Sequence, residues 1–326
     1  MFIKFIGQFV FTLAMLQLIP VDAAQYEWNA EVDSVSASAG LTQTEVGLVT
    51  SSLPEAGDRE LPNYPVKVDL DSYGIVTTAE SALVQDAGSG MMLLAKHPYE
   101  ERSIGSVTKL MTALVFLEQE PNLNEIVSLD PALDLIEGGR VYLAFYDGLT
   151  LEDVFAASIV GSDNTATEAL VRFSGLTKDV FIARMNSLAI DLGMTSSSFT
   201  DPTGIDAGNR STAQDLILLL EAAEQDELLA TYMTDAQVTV EHLSGRLITI
   251  ANTNSLLASY LNQGDFTITG GKTGFLPQAG YVLATTIEQD GNAVHVIVLG
   301  SDSKQDRVDE VKGLASWAFR VYQWPN

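Results

Sequence analysis

The apolar residues Val107, Leu110, Met111, Leu114 and Val115 recur at the three-and-four spacing of one helix face, and Pro121 stops the run. The spacing predicts a helix over 106–120. Residues three apart share a helix face, so Lys109 reaches the hydroxyl of Ser106. Ser106 falls at the N-terminal end, where unpaired N–H groups and the macrodipole favour developing negative charge. A hydroxyl, an amine within reach and an anion-favouring helix end are the parts of an acylating nucleophile. Taken alone, the same Ser-x-x-Lys also reads as a helix cap followed by a surface lysine.

The rest of the chain divides into a helical middle and a sheet-like end. Ser81-Ala-Leu-Val-Gln-Asp86 and Met91-Met-Leu-Leu-Ala95, joined by Ala87-Gly-Ser-Gly90, predict a hairpin. Residues 122–149 read as loops and small hairpins. Thr150-Leu-Glu-Asp153 carries the signature of a capped helix start. The apolar pattern then breaks at Gly161-Ser162-Asp163-Asn164 and resumes over 165–173. Ser162 and Asn164 therefore stand at a joint between helical segments, either pointing into a cleft or capping the next helix. Further helices are expected over 178–192 and 212–228. Strands are expected at Phe266-Thr-Ile-Thr269, 281–287 and 294–299, with Gln289-Asp-Gly-Asn292 as a hairpin turn. A terminal helix is expected over 304–322.

Residues 1–24 contain Lys4, a mostly apolar run over 5–19 and the small pair Ala23-Ala24, the pattern of a secretory signal. The run is shorter than the roughly 20 residues that span a bilayer comfortably, although an uncleaved anchor is the alternative. Residues 25–70 show little periodicity and read as a flexible linker, leaving 71–326 as the catalytic domain. The chain carries 43 acidic against 17 basic residues, a net charge of −26. Such a surface is repelled by nucleic acid and by anionic membranes. Adaptation to a saline habitat is one hypothesis for it. With no cysteine there is neither a disulfide framework nor a cysteine metal site. His97, His242 and His295 are scattered without a His-Glu-x-x-His pattern, so no metal or other cofactor is expected. A Gly-x-Ser-x-Gly elbow is absent as well.

Three short motifs occur in order: Ser106-x-x-Lys109, Ser162-Asp163-Asn164 and Lys272-Thr273-Gly274. Together with Phe199-Thr-Asp-Pro-Thr-Gly-Ile205, Ser211-Thr-Ala-Gln-Asp-Leu216 and Asn252-Thr-Asn-Ser-Leu-Leu257, they resemble the serine-type D-Ala-D-Ala carboxypeptidases, the low-molecular-mass penicillin-binding proteins. The resemblance covers about residues 78–322. It implies an α/β (α+β) fold of the β-lactamase/transpeptidase-like type: an antiparallel sheet of about five strands flanked by helices, plus a helical subdomain. It also implies a role for each motif. Ser106 is the nucleophile and Lys109, neutral through burial and cationic neighbours such as Lys272, its base. Ser162 relays a proton, and Asn164 holds the peptide and Lys109. Lys272 and Thr273 bind the terminal carboxylate, Gly274 allows close approach, and the Ser106 and Phe275 N–H groups receive the oxyanion.

The implied substrate is a peptidoglycan stem peptide ending in D-Ala-D-Ala, with β-lactams as inhibitors. The implied location is the periplasm or extracellular face. Phe275 departs from the polar residue frequent at that position in relatives. No β-rich domain or C-terminal membrane anchor is expected after 322. Other readings are a D,D-endopeptidase of the same family, a class A-like β-lactamase and a non-catalytic peptidoglycan-binding protein. Against the β-lactamase, the stretch 195–212 holds no glutamate, only Asp201 and Asp206, with Asp215 just beyond.

Overall fold

The protein is described by a computed structural model over residues 63–137 and 139–325. The expected signal of 1–24 and the linker to residue 62 lie outside the described residues. Val66–Lys67 pairs with Tyr322–Gln323, and Val68 N–H donates to Val321 O at 2.8 Å. The chain is thus already stitched to the far end of the fold a few residues before position 70.

The first hairpin forms where the two short runs around Ala87-Gly-Ser-Gly90 predict it, as β1 (Ser81–Asp86) and β2 (Met92–Lys96). The Ser106 segment begins as a tight 3-10 turn, Gly105–Val107, and continues as α1 (Thr108–Leu117). Helical bonding ends sooner than 120 because the residue before a proline is barred from the helical region, and Glu120 instead takes φ 49°. Helix α2 (Leu151–Val160) opens on the expected box: Thr150 Oγ1 accepts from Asp153 N–H, and the Asp153 carboxylate accepts from Thr150 N–H. Helices α3 (Asn164–Phe173) and α4 (Lys178–Asp191) follow.

The single helix expected over 212–228 is two, α5 (Ala213–Gln225) and α6 (Glu227–Thr234). Asp226 breaks it by taking an extended backbone and accepting from Leu229 N–H, so it caps the second helix. A hairpin that the sequence reading passed over follows, β3 (Gln237–Glu241) with β4 (Leu247–Ala251).

The last strands are β5 (Phe266–Leu276), β6 (Gly280–Gln289) and β7 (Asn292–Ser301), and the last helix is α7 (Lys304–Val321). The β6–β7 turn has Asp290 and Gly291 both at positive φ, 52° and 78°, as a type I′ hairpin requires. One five-stranded antiparallel sheet results, in the order β5-β6-β7-β1-β2. Its central strands are buried on both faces. Ala82, Val84, Val296 and Val298 pack with Val311, Leu314 and Ala318 of α7. Leu83, Ile297, Leu299 and Ala284 pack with Leu216, Leu219 and Leu220 of α5 and with α1. Alternate residues thus feed two cores, which is the strand period expressed in burial. The expected fold is present: helices on both faces of the sheet and a helical part, α2 to α4, beside it. Strand β5 is left as an edge, with its Lys272-Thr273-Gly274 stretch facing the turn that carries Ser106.

Candidate active site

Lys109 and Lys272 are both fully or almost fully buried, an unusual state for lysine that demands partners. Lys109 Nζ donates to Ser106 Oγ at 3.0 Å, to Asn164 Oδ1 at 2.6 Å and to the Thr203 carbonyl at 2.5 Å. Lys272 Nζ donates to Ser162 Oγ at 3.0 Å and to the Thr273 carbonyl at 3.3 Å. Thr273 Oγ1 donates to Thr253 Oγ1 at 2.7 Å. Segments remote in sequence thus meet in two neighbouring hydrogen-bonded sets, one around each lysine, and every residue of the three motifs lies within them or beside them.

The local folding that produces these sets is readable. The joint between α2 and α3 is capped by Asp163, whose carboxylate accepts from Ala166 N–H at 2.9 Å and from Tyr142 N–H at 2.6 Å. The capping role open to Ser162 and Asn164 is therefore taken by the residue between them, and their side chains are free to reach the two lysines. Ser162 adopts φ 57°, a left-handed conformation costing a non-glycine residue about 1–3 kcal/mol. The loop 201–204 holds the other side of Lys109. Asp201 is buried and accepts from Thr203, Gly204 and Asp206 N–H and from Asn209 Nδ2.

Gly274 meets the Ser106 turn with no room for a side chain: a methyl there would overlap the Ile104 carbonyl and lie 3.3 Å from Ser106 N. A methyl on Gly105, itself at φ 52°, would lie 2.8 Å from Phe275 N. The close approach of these glycines brings the Ser106 and Phe275 amides together. Arg307 of α7 ties the two strands of this arrangement, donating through Nη1 to the carbonyls of Gly274 and Val282, each at 3.2 Å.

Burial is the main cause of the altered acid–base behaviour here. It brings Lys109 down to about 7, against the opposing pull of Asp201 and Asp163 and with help from Arg140. The cationic neighbour assisting this is Arg140, where Lys272 was expected. Lys272 is pushed well below its ordinary value by burial and then by Lys109, Arg140 and Arg307. Arg307 falls to about 10, again chiefly by burial. The Asp163 carboxyl is raised by burial despite its N–H donors.

These groups border a cleft of about 380 Å³ lined by Ser106, Gly139, Arg140, Ser162, Asn164, Thr253, Thr273, Gly274, Phe275, Tyr281, Lys304 and Arg307. Six of these lining residues, Gly139, Arg140, Thr253, Tyr281, Lys304 and Arg307, carry no role in the sequence reading. Thr253 and Tyr281 had a signal, since they lie in the segments 252–257 and 270–285, both of which resemble the family. Thr253 also holds the cleft together. Its N–H donates to Val160 O at 3.1 Å, tying the end of the overlooked β3–β4 hairpin to α2. Phe275 is half-exposed and stacks on Tyr281 with ring centroids 4.4 Å apart. Of the histidines, His295 is a sheet residue bonded to Thr286 and Glu221, away from the cleft. Among the described residues, no three His, Asp or Glu side chains converge as metal ligands.

A family described as D-alanyl-D-alanine carboxypeptidase matches residues 71–303. A D-alanyl-D-alanine endopeptidase of Pseudomonas aeruginosa is 30% identical over 240 residues, 73% of this chain and 76% of the relative. Among solved structures, a D-alanyl-D-alanine carboxypeptidase of Mycobacterium tuberculosis H37Rv superposes with a TM-score of 0.70 at 26% identity. That match covers 78% of this chain and 96% of the other. The Streptomyces K15 DD-transpeptidase superposes with a TM-score of 0.67 at 26% identity, over 76% of this chain and all of the other.

Proposed function

The chain belongs to the D-alanyl-D-alanine carboxypeptidase family, and we propose from its site that it trims peptidoglycan stem peptides as a serine-type carboxypeptidase working through Ser106. The observation that carries this is the pair of buried lysines, each within 3.0 Å of a serine hydroxyl, on the two sides of one cleft.

Lys109, neutral above pH of about 7, takes the Ser106 proton as Oγ attacks the carbonyl between the two D-alanines. The Ser106 and Phe275 amides receive the oxyanion. Collapse of the tetrahedral species breaks the C–N bond, and a proton passes through Ser162 to the departing D-alanine amine. Water then adds to the acyl-enzyme and restores Ser106. Lys272 and the Thr273 hydroxyl hold the terminal carboxylate, with Asn164 aligning the peptide. A penicillin enters by the same attack on its strained amide and leaves slowly. A β-lactamase reading is disfavoured because no carboxylate lines the cleft among the described residues. Asp201, the nearest acid in the 195–212 stretch to Lys109, is committed to its own loop.

A second reading, cleavage of cross-linked peptides, is favoured by the name of the Pseudomonas relative. The surrounding domain plan is a signal over 1–24, then a linker, and a catalytic domain whose first strand, Val66–Lys67, falls a few residues before the expected boundary at 70/71, with the substrate met outside the cytoplasm. No helix of the described residues is long and apolar enough to cross a membrane.

The test is incubation with a synthetic stem pentapeptide ending in D-Ala-D-Ala and, separately, with a cross-linked stem dimer. Release of free D-alanine by the wild type and not by Ser106→Ala supports the carboxypeptidase. Cleavage of the dimer alone shifts the reading to the endopeptidase. Activity on neither, in a folded protein, overturns both.

A further inference from the structure

The cleft is a positive site in a strongly negative protein. With 43 acidic residues against 17 basic ones, several of the described cations have a carboxylate at hand. Arg102, Arg172, Arg184 and Arg210 each pair with one, while the exposed Arg140, Arg246, Lys304 and Arg320 form no ion pair with a described residue. Arg140 is exposed, lines the cleft, and forms no ion pair with any described residue. No acidic side chain lines the cleft with it. Its charge nevertheless acts inside the site, since it contributes to holding Lys109, Lys272 and Arg307 below their ordinary values.

The backbone around Arg140 is fixed. Asn164 N–H donates to the Arg140 carbonyl at 3.3 Å, Gly139 packs directly against the Asn164 side chain, and Tyr142 N–H is held by Asp163. Arg140 is therefore part of the same strap that orients Asn164. It stands on the helical side of the cleft, across from the Lys272-Thr273 strand. On the reading given above, the terminal carboxylate goes to Lys272 and Thr273 and the acyl portion of the peptide runs along Asn164.

We propose that Arg140 is a specificity residue that binds a second, free carboxylate on the acyl side of the substrate, so that the enzyme prefers peptides carrying such an acid over their carboxamide counterparts. The inference rests on the peptidase reading. Its chemistry is that of a planar guanidinium with unclaimed donors, pre-set on a short strap and facing a carboxylate-free cleft. A charge pair of this kind at a solvent edge corresponds to about a fivefold preference, and it weakens in salt.

The experiment compares kcat/KM for two synthetic peptides ending in D-Ala-D-Ala. They differ only in whether the side-chain acid of the residue preceding the first D-alanine is free or amidated. The proteins are wild type, Arg140→Gln, Arg140→Lys and Lys304→Gln. The expected result is about a fivefold preference of the wild type for the free acid at low salt, shrinking in molar salt. Arg140→Gln brings the ratio to one, Arg140→Lys keeps part of it, and Lys304→Gln keeps it in full. Reading the ratio removes any common loss that follows from the influence of Arg140 on Lys109. A wild-type ratio of one, or a ratio unmoved by Arg140→Gln, overturns the inference while leaving the peptidase standing. Equal erosion by Lys304→Gln makes the preference a property of the general field and overturns the assignment to Arg140. Hydrolysis of neither peptide overturns the peptidase reading and this inference with it.

Discussion

Replacing Asn164 with aspartate places a carboxylate where Lys109 Nζ now meets an amide oxygen at 2.6 Å. The side chains are nearly isosteric, so the change is one of charge. An opposite charge at that distance favours the protonated lysine by about 1–3 pKa units. Wild-type Lys109 loses its proton at about 7, and a shift of about two units moves this to ~9. At pH 7 the neutral, proton-accepting fraction then falls from about one half to about one per cent, a loss of roughly fiftyfold. The assay is the second-order rate of Ser106 acylation by a fluorescent penicillin between pH 5.5 and 10.5. The wild-type rate should rise through about pH 7. The Asn164→Asp rate should rise about two units later and approach the wild-type plateau to within severalfold. A variant whose plateau drops while its midpoint stays fixed would refute the account of Lys109 as base, leaving Asn164 with a role in holding the substrate only.

Three further outcomes follow from charge, two from buried groups and one from the net charge. Lys109 has a folded-state value near 7 against an ordinary 10.5, so the folded protein binds fewer protons than the unfolded chain between these limits and gains stability as pH rises through them. Lys109→Met should lack that gain and form no penicillin adduct. Glu224 is largely buried against Gly270, with Oε1 unpartnered, and burial raises its carboxyl to about 7 from 4.5. The folded state therefore holds the proton more tightly and loses stability as pH rises from 4.5 to about 7. Glu224→Gln should raise the melting temperature at pH 8 and leave it unchanged at pH 4. A net charge of −26 predicts a higher unfolding midpoint in molar salt, where self-repulsion is screened. An unmoved midpoint removes the saline hypothesis.

The parts legible in the sequence are those where chemistry and period coincide. Ser106 and Lys109 share a helical repeat, Asp290-Gly291 dictates its turn, and the near-continuous apolar runs within 81–86 and 294–299 mark strands buried on both sides. The misses have physical causes. A run of apolar residues through 212–228 outweighed Asp226, although an aspartate can leave a helix to cap the next one. The β3–β4 hairpin carried its own signal, Val238 and Val240 against Ile248 and Ile250 around Gly245. Arg140 and Arg307 reach the cleft only through tertiary packing. Nothing in their local sequence separates them from surface residues, and their nearness to Ser106 exists only once the sheet and the helical part meet.

The central claim is that Ser106, activated by Lys109, forms a long-lived acyl adduct. The most direct measurement is intact-protein mass spectrometry with peptide mapping after incubation with penicillin, followed over hours beside Ser106→Ala. The account predicts one added penicilloyl group on the Ser106 peptide of the wild type, persisting for hours, and none on the variant. An adduct on another residue, or no adduct on a folded wild type, would contradict it. An adduct that forms and vanishes by rapid turnover would make the protein a β-lactamase.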